Sequence, residues 1–238
     1  MNIIDIAIVF IILLFGIAGL KKGLIKEAIS LLGMIIILVI AFLLKGNIGN
    51  VLCKYLPFFD FGGTFKGITS LNILIYQFIG FFVIYSLLLG IYGIVMKLTG
   101  LVQKLVNMTV ILLIPSKIGG FLLGLIEGAI ICFVGLLVLM IPLQNNELFS
   151  SSKLTHKIIY NTPVISKASQ NITKSVTEVY DLGDRMIAGE ITSDEANLKT
   201  ISIMLKYKVV TPKTIEQLII LDKLKDIEGL DALLSTYK

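Results

Sequence analysis

The sequence predicts an all-α, polytopic membrane protein with about four transmembrane helices, an interfacial amphipathic helix and a small C-terminal helical domain. Three observations carry this. Of the 238 residues, 56% are hydrophobic and only 16% are charged, where a soluble domain carries nearer about 25% charged residues. The mean hydropathy is +0.93. The apolar residues also gather into four runs, about 2–20, 24–44, 68–96 and 118–142, each near or above the ~20 residues that cross a bilayer core. The expected division is a transmembrane domain over 1–143 and a helical soluble domain over 144–238.

Residues 115–142 form the run around which the others are organised. Gly120, Gly124, Gly128 and Gly135 fall within an arc of about 80° on one helix face. Small residues at i and i+4 let a second helix approach closely, which is how helices associate in lipid. Glu127 lies near the middle of this run, at the edge of the glycine arc. A charge at a span centre costs about 2.5–3.5 kcal/mol on insertion scales quoted for Asp, Lys and Arg. Lys117 shares the face but lies ten residues away, about 15 Å along the axis. A partner must come from another helix, and Lys22 or Lys26 qualifies only if the turn that holds them dips into the membrane. Otherwise the buried acid is expected to be neutral and to donate a hydrogen bond to a neighbouring span.

In chain order, residues 2–20 are apolar apart from Asn2 and Asp5. No small-residue cleavage motif follows and a second apolar run comes almost at once, so a retained span is expected rather than a signal peptide. One helix over 2–44 would be about 64 Å long, far beyond the ~30 Å core, so the chain must turn near residues 21–23. On this hairpin Asp5, Gly16 and Gly19 share one face. Gly23, Glu27 and Ser30 share a face of the second span, and Gly33 drifts off it. Intramembrane acids are rarely lipid-facing, so Asp5 and Glu27 are expected to point inward, or to reach the headgroups from positions near the span ends.

Residues 45–66 exchange the apolar run for glycines, Pro57 and the aromatic residues Tyr55, Phe58, Phe59 and Phe61. This reads as a partly inserted loop at the interface, where aromatic rings collect. The third span offers small positions at Ser86, Gly90 and Gly93 and polar ones at Asn72 and Gln77. In residues 97–114, Leu101, Val102, Leu105 and Met108 oppose Gln103, Lys104 and Asn107, the pattern of an interfacial helix.

Beyond Pro142 the composition turns polar. Thr162-Pro163 opens a helix with a stripe of Val164, Ile165, Ala168, Ile172, Val176 and Val179, which Gly183 is expected to end. Thr192 and Glu195 form a capping box. Thr211-Pro212 opens a further helix with Ile215, Leu218 and Ile219 inward, and Gly229 precedes a last short one.

Charge and cysteine content narrow the function classes. Residues 1–143 hold nine Lys against four acids and carry the whole net charge of +5, while in residues 144–238 twelve cations balance twelve acids. A basic excess confined to the membrane half fits lipid headgroups rather than nucleic acid. Three Lys in residues 21–26 and three more in 97–117 favour the cytoplasm for those connections, which places both termini, and the C-terminal domain, outside. Cys53 and Cys132 give no disulfide framework and are expected as free thiols. With one His they cannot supply a usual structural zinc set, and no metal or cofactor is expected.

These residues resemble the CvpA (colicin V production) family of bacterial inner-membrane proteins. Asp5, Gly16, Gly19, Lys22-Gly23, Glu27 and Gly33 are similar to that family's opening hairpin. Lys117, Gly120, Gly124 and Gly128 are similar to its R-x-x-G-x-x-x-G-x-x-x-G helix. The stretch from Ser152-Lys153-Leu154 to Thr162-Pro163 is similar to the segment after its last span. The resemblance covers roughly residues 1–165. It departs at Glu127, where the family often has a basic residue, so no family role passes to that position. It implies a multi-pass protein of the bacterial cytoplasmic membrane that serves colicin V or toxin production or export and envelope function, with no catalysis. Some relatives carry a trypsin-like protease after the spans. Here no G-D-S-G-G-like loop is present, and the only His, His156, lies on a short amphipathic segment, so a triad is excluded.

Two readings follow. The first is a protein that acts through helix packing and assembly in the lipid bilayer, with itself or with other membrane proteins and without nucleic acid. The second is a small oligomeric channel or transporter whose polar path is lined by Asp5, Glu27 and Glu127. An intramembrane enzyme finds no H-E-x-x-H and no Ser/His couple to support it.

Overall fold

The computed structural model describes residues 2–106, 113–143, 146–161, 165–224 and 227–237, with side chains described except at 96–106, 113–115, 141–142, 161 and 165–169. All regular structure among them is helical: α1 (Ile3–Lys22), α2 (Leu24–Tyr55), a 3-10 turn (Gly63–Phe65), α3 (Leu71–Val106), α4 (Leu113–Leu143), α5 (Glu147–Ser150), α6 (Lys153–Asn161), α7 (Ile165–Ile187), α8 (Ser193–Lys206), α9 (Pro212–Ile220) and α10 (Leu230–Ser235). Four helices are long and apolar enough to cross a membrane, over Ile3–Lys22, Leu24–Tyr55, Leu71–Val95 and Ser116–Met140.

Two expected boundaries move. The second span does not end near residue 44. The helix continues to Tyr55, and Cys53 is a buried helical residue rather than a loop one. Glycines here serve packing instead of breaking the helix. A Cβ on Gly80 would lie 2.7 Å from both Gly49 N and Lys45 O, so α3 crosses α2 backbone to backbone. The third span likewise runs on through Val106. Residues 97–106 therefore continue α3 rather than starting a separate element. The side chains of the expected amphipathic face lie outside the described residues, as do Thr162, Pro163 and Val164.

The chain forms two compact units. One comprises Met1–Leu43 and Ile84–Thr162, the other Leu44–Val83 and Pro163–Lys238. This grouping cuts the chain differently from a division at residue 143, because the C-terminal helices share a core with residues 44–83. In that second unit Asn50 donates to Thr214 Oγ1 at 3.1 Å and accepts from Gln77 Nε2 at 3.0 Å. Buried Asn197 accepts from Ser70 N at 2.8 Å and donates to Gly67 O at 2.9 Å. Asn72 closes the 56–70 connection by exchanging hydrogen bonds with the Phe59 backbone, 2.7 and 3.0 Å. The polar residues of an apolar helix thus satisfy a buried turn, where unpaired groups are costly.

Local signals set the remaining ends. Thr192 and Glu195 make the capping box of α8, Thr211 caps α9 with Pro212 in its first turn, and Gly229, at φ 82°, precedes α10. Ile215 and Leu218 are buried, and Ile219 is half-buried. Gly183 does not end α7, which continues to Ile187. A Cβ there would meet Thr64 Cγ2 at 2.7 Å and Thr64 O at 2.8 Å, so this glycine makes room for the 3-10 turn. The positive φ that follows the helix belongs to Gly189, at 73°.

Candidate functional site: a charge cluster behind a glycine seam

The first unit is built on α1 and α4, which run antiparallel in close contact. A Cβ on Gly120 would strike Gly19 O, one on Gly124 would strike Phe15 O, and one on Gly128 would lie 2.9 Å from Ile12 Cα. Further on, Cys132 Sγ donates to Ile8 O at 3.8 Å. Each four-residue step up α4 meets a three- or four-residue step down α1, so the i, i+4 spacing of the glycines keeps one seam in register over three turns. Gly16 belongs to it, with Phe121 and Leu125 against its open face. Gly135 does not, being exposed with nothing among the described residues within 4 Å of a Cβ on it.

The seam ends at the α1–α2 turn. Gly23 adopts φ 79°, in the left-handed region that side chains disfavour, and the next residue, Leu24, donates its N–H to Ser116 Oγ at 3.1 Å. This turn brings three charged residues together. Lys22 Nζ lies 3.0 Å from Glu27 Oε2 and 3.9 Å from Glu127 Oε2. Glu27 is fully buried and Glu127 is 7% exposed, while the Lys22 side chain is 41% exposed. Ser30 Oγ donates to Glu127 Oε1 at 3.2 Å and lies 3.5 Å from Lys22 Nζ. The two carboxyl groups are within hydrogen-bonding reach of each other. Gly19 leaves room for this, since a Cβ on it would stand 3.1 Å from Glu27 Cδ.

Helix α3 covers the cluster. Tyr85 and Tyr92, seven residues apart and so on one face, both interact electrostatically with Glu127. The Tyr92 ring occupies the notch left by Gly33, where a Cβ would lie 2.5 Å from Cε2, and its hydroxyl donates to Ile29 O at 3.2 Å.

Asp5 is elsewhere. It lies seventeen residues before Lys22 on α1, about 25 Å along the axis. There it accepts from Ser152 Oγ at 2.6 Å, Leu154 N at 3.0 Å and Asn2 N at 3.1 Å. Asn2 caps α1 and donates to Leu148 O at 2.5 Å and Ser151 Oγ at 3.1 Å. Asp5 thus fastens the start of α1 to the start of α6, and the four spans return the chain to the side on which it began. The structure does not bring the three acids together as the lining of one path.

Of the expected site residues, Gly16, Gly19, Gly120, Gly124 and Gly128 form the seam, Gly23 makes the turn, and Glu27 and Glu127 form the cluster. Lys117 is exposed and takes no part in it. Lys22 provides the cation, because its turn packs against α4 and lets the side chain reach back. The expected site also omitted Tyr85 and Tyr92. Their spacing of seven on a largely apolar helix was a readable signal. Among the described residues no three His, Cys, Asp or Glu side chains gather in a metal-binding group. His156 is exposed, its ring 4.7 Å from Tyr160.

Residues 4–163 match the family model described as Colicin V production protein. Neither the curated proteins nor the solved structures contain a significant match. The matched segment is well over half of the 238 residues and includes the seam, the cluster and Asp5. The chain belongs to the Colicin V production protein family.

Proposed function

We propose that this membrane protein serves toxin production or export by assembling with partners in the bilayer, with copies of itself or with other membrane proteins, and not by catalysis. One observation carries the reading. The glycine face of α4 is consumed inside the chain by α1, but among the described residues α3 keeps a second small-residue face unfilled. Ser86, Gly90 and Gly93 are exposed, and no described atom lies within 4 Å of a Cβ on either glycine. Apolar surface alone needs no protein partner in lipid, whereas small residues mark where helices meet. The proposed orientation puts the Lys-rich 21–26 and 97–117 connections in the cytoplasm of a bacterial cell and the C-terminal helices outside. The 56–70 connection and the C-terminal helices fall on one side in that arrangement, in keeping with their shared core.

The test is crosslinking in native membranes through Ser86→Cys in a chain whose own two cysteines are buried, followed by pull-down and mass spectrometry. The expected result is a discrete adduct, to a second copy or to another membrane protein, that Gly90→Leu abolishes. A Ser86→Cys chain that stays monomeric in the membrane would overturn the reading.

A further inference from the structure

We propose that Glu27 and Glu127 form a binding site for a single proton, held between the two carboxyl groups and exchanged with water along the half-exposed Lys22 side chain. Among the described residues, Glu27 Oε1 and Glu127 Oε2 are buried with no hydrogen-bond donor, while Glu27 Oε2 has the Lys22 ammonium nitrogen at 3.0 Å. A buried carboxylate oxygen left without a donor is costly. Among the described residues, the polar groups that interact with the pair come from α1, α2 and α3. Lys22 comes from α1, Ser30 from α2, and Tyr85 and Tyr92 from α3, while α4 contributes Glu127 itself. Ser30 already donates to the other oxygen of Glu127, and the Tyr92 hydroxyl donates to Ile29 O.

One added proton supplies the missing donor where the two carboxyls meet. It also settles the charge. Lys22 is one cation against two acids, so the ionised cluster carries a net −1 in a region where an uncompensated charge is expensive. With one carboxyl protonated the sum is zero. The proton comes from water as hydronium and returns there, with no other bond made or broken. Two carboxyls sharing one proton because both cannot ionise side by side is an established pattern. Lys22 makes this site differ from a bare pair, since it fixes the number of protons at one.

That number is what the experiment reads. The full chain is labelled with carboxyl-13C glutamate, placed in lipid nanodiscs, and followed by infrared spectroscopy through a pH titration near neutrality. The expected wild-type signal is one protonated-carboxyl C=O band equivalent at neutral pH. Glu127→Gln and Glu27→Gln should each lose that band completely, because the surviving carboxylate then balances Lys22 alone. Lys22→Gln should raise it towards two equivalents. If a variant fails to accumulate, the wild-type band alone decides. No protonated glutamate at neutral pH, or a band that survives both Gln substitutions, overturns the proposal.

Discussion

The Gly124→Ala substitution probes the seam with the smallest possible change. The new methyl would strike Phe15 O and lie 3.0 Å from Phe15 C and 3.1 Å from Gly16 Cα. All three are backbone atoms of a packed helix, so no side-chain rotation relieves the contact. Ala gains about 1 kcal/mol over Gly in helix propensity, while forcing atoms into a packed interface costs about 1–3 kcal/mol. Because the obstacle is backbone, α4 must withdraw from α1, and a gap of 0.5–1 Å forfeits roughly a quarter to a half of each neighbouring contact. The upper end of the range therefore applies, for a net loss of about 1–2 kcal/mol. Gly135→Ala is the matched control on the same helix. It meets nothing within 4 Å among the described residues and keeps the propensity gain of up to about 1 kcal/mol. The two variants should differ by about 2–3 kcal/mol in reversible unfolding in mixed micelles, and their membrane abundance should follow the same order. Gly124→Leu should be worse still, and Ile131→Val nearly silent. Equal stability of the Gly124→Ala and Gly135→Ala proteins would refute the close approach.

Three further outcomes follow. Glu127→Gln should be tolerated for folding and abundance, since the amide still accepts from Ser30, whereas Glu127→Lys places a second cation beside Lys22 and should deplete the protein from membranes, as read by immunoblot. Asp5→Ala removes the shared acceptor of Ser152 and Leu154, so hydrogen exchange at residues 153–157 should accelerate while α4 stays protected. Outside the membrane, Glu178 is pushed up by partial burial but held below its ordinary value overall by hydrogen bonds from Tyr207 and Lys206 and by the nearby Lys206 and Lys174 charges. A lowered folded value means its contribution is present above the ordinary carboxylate range and lost as pH falls through the folded value. Glu178→Gln should therefore lower stability at neutral pH and flatten its decline in acid, as followed by circular dichroism melting.

The spans, the glycine seam and most helix starts were legible in the sequence because each follows from local periodicity or a capping side chain. Gly120, Gly124 and Gly128 repeat at the helix period, and Thr192 and Glu195 satisfy α8 from within four residues. What periodicity leaves out is the identity of the partner. Nothing in the chain order says that α4 takes α1, or that Ile12 meets Gly128. For the same reason Gly46, Gly49 and Gly183 read as breaks. A glycine that ends a helix and one that admits a neighbour look alike until the neighbour is known. Lys22 was readable as a turn residue, but its reach to Glu127 depends on how the turn packs against Ser116. The C-terminal helices read as a separate domain because their composition changes at Pro142, while composition carries no trace of the hydrogen bonds that join Asn197 and Thr214 to residues 44–83.

The antiparallel register of α1 and α4 underlies both the seam and the cluster, and the buried Cys132 offers a direct measure of it. An Ile8→Cys chain, with Cys53→Ser to leave one native thiol, is treated with oxidant in native membranes and resolved on non-reducing gels. Ile8 and Cys132 adjoin in the structure, both at most 5% exposed, so a fast intramolecular disulfide is predicted, with little from Ile12→Cys or Phe15→Cys in the same background. Faster closure from Phe15→Cys than from Ile8→Cys would contradict the register, and with it the account of how Lys22 meets Glu27 and Glu127.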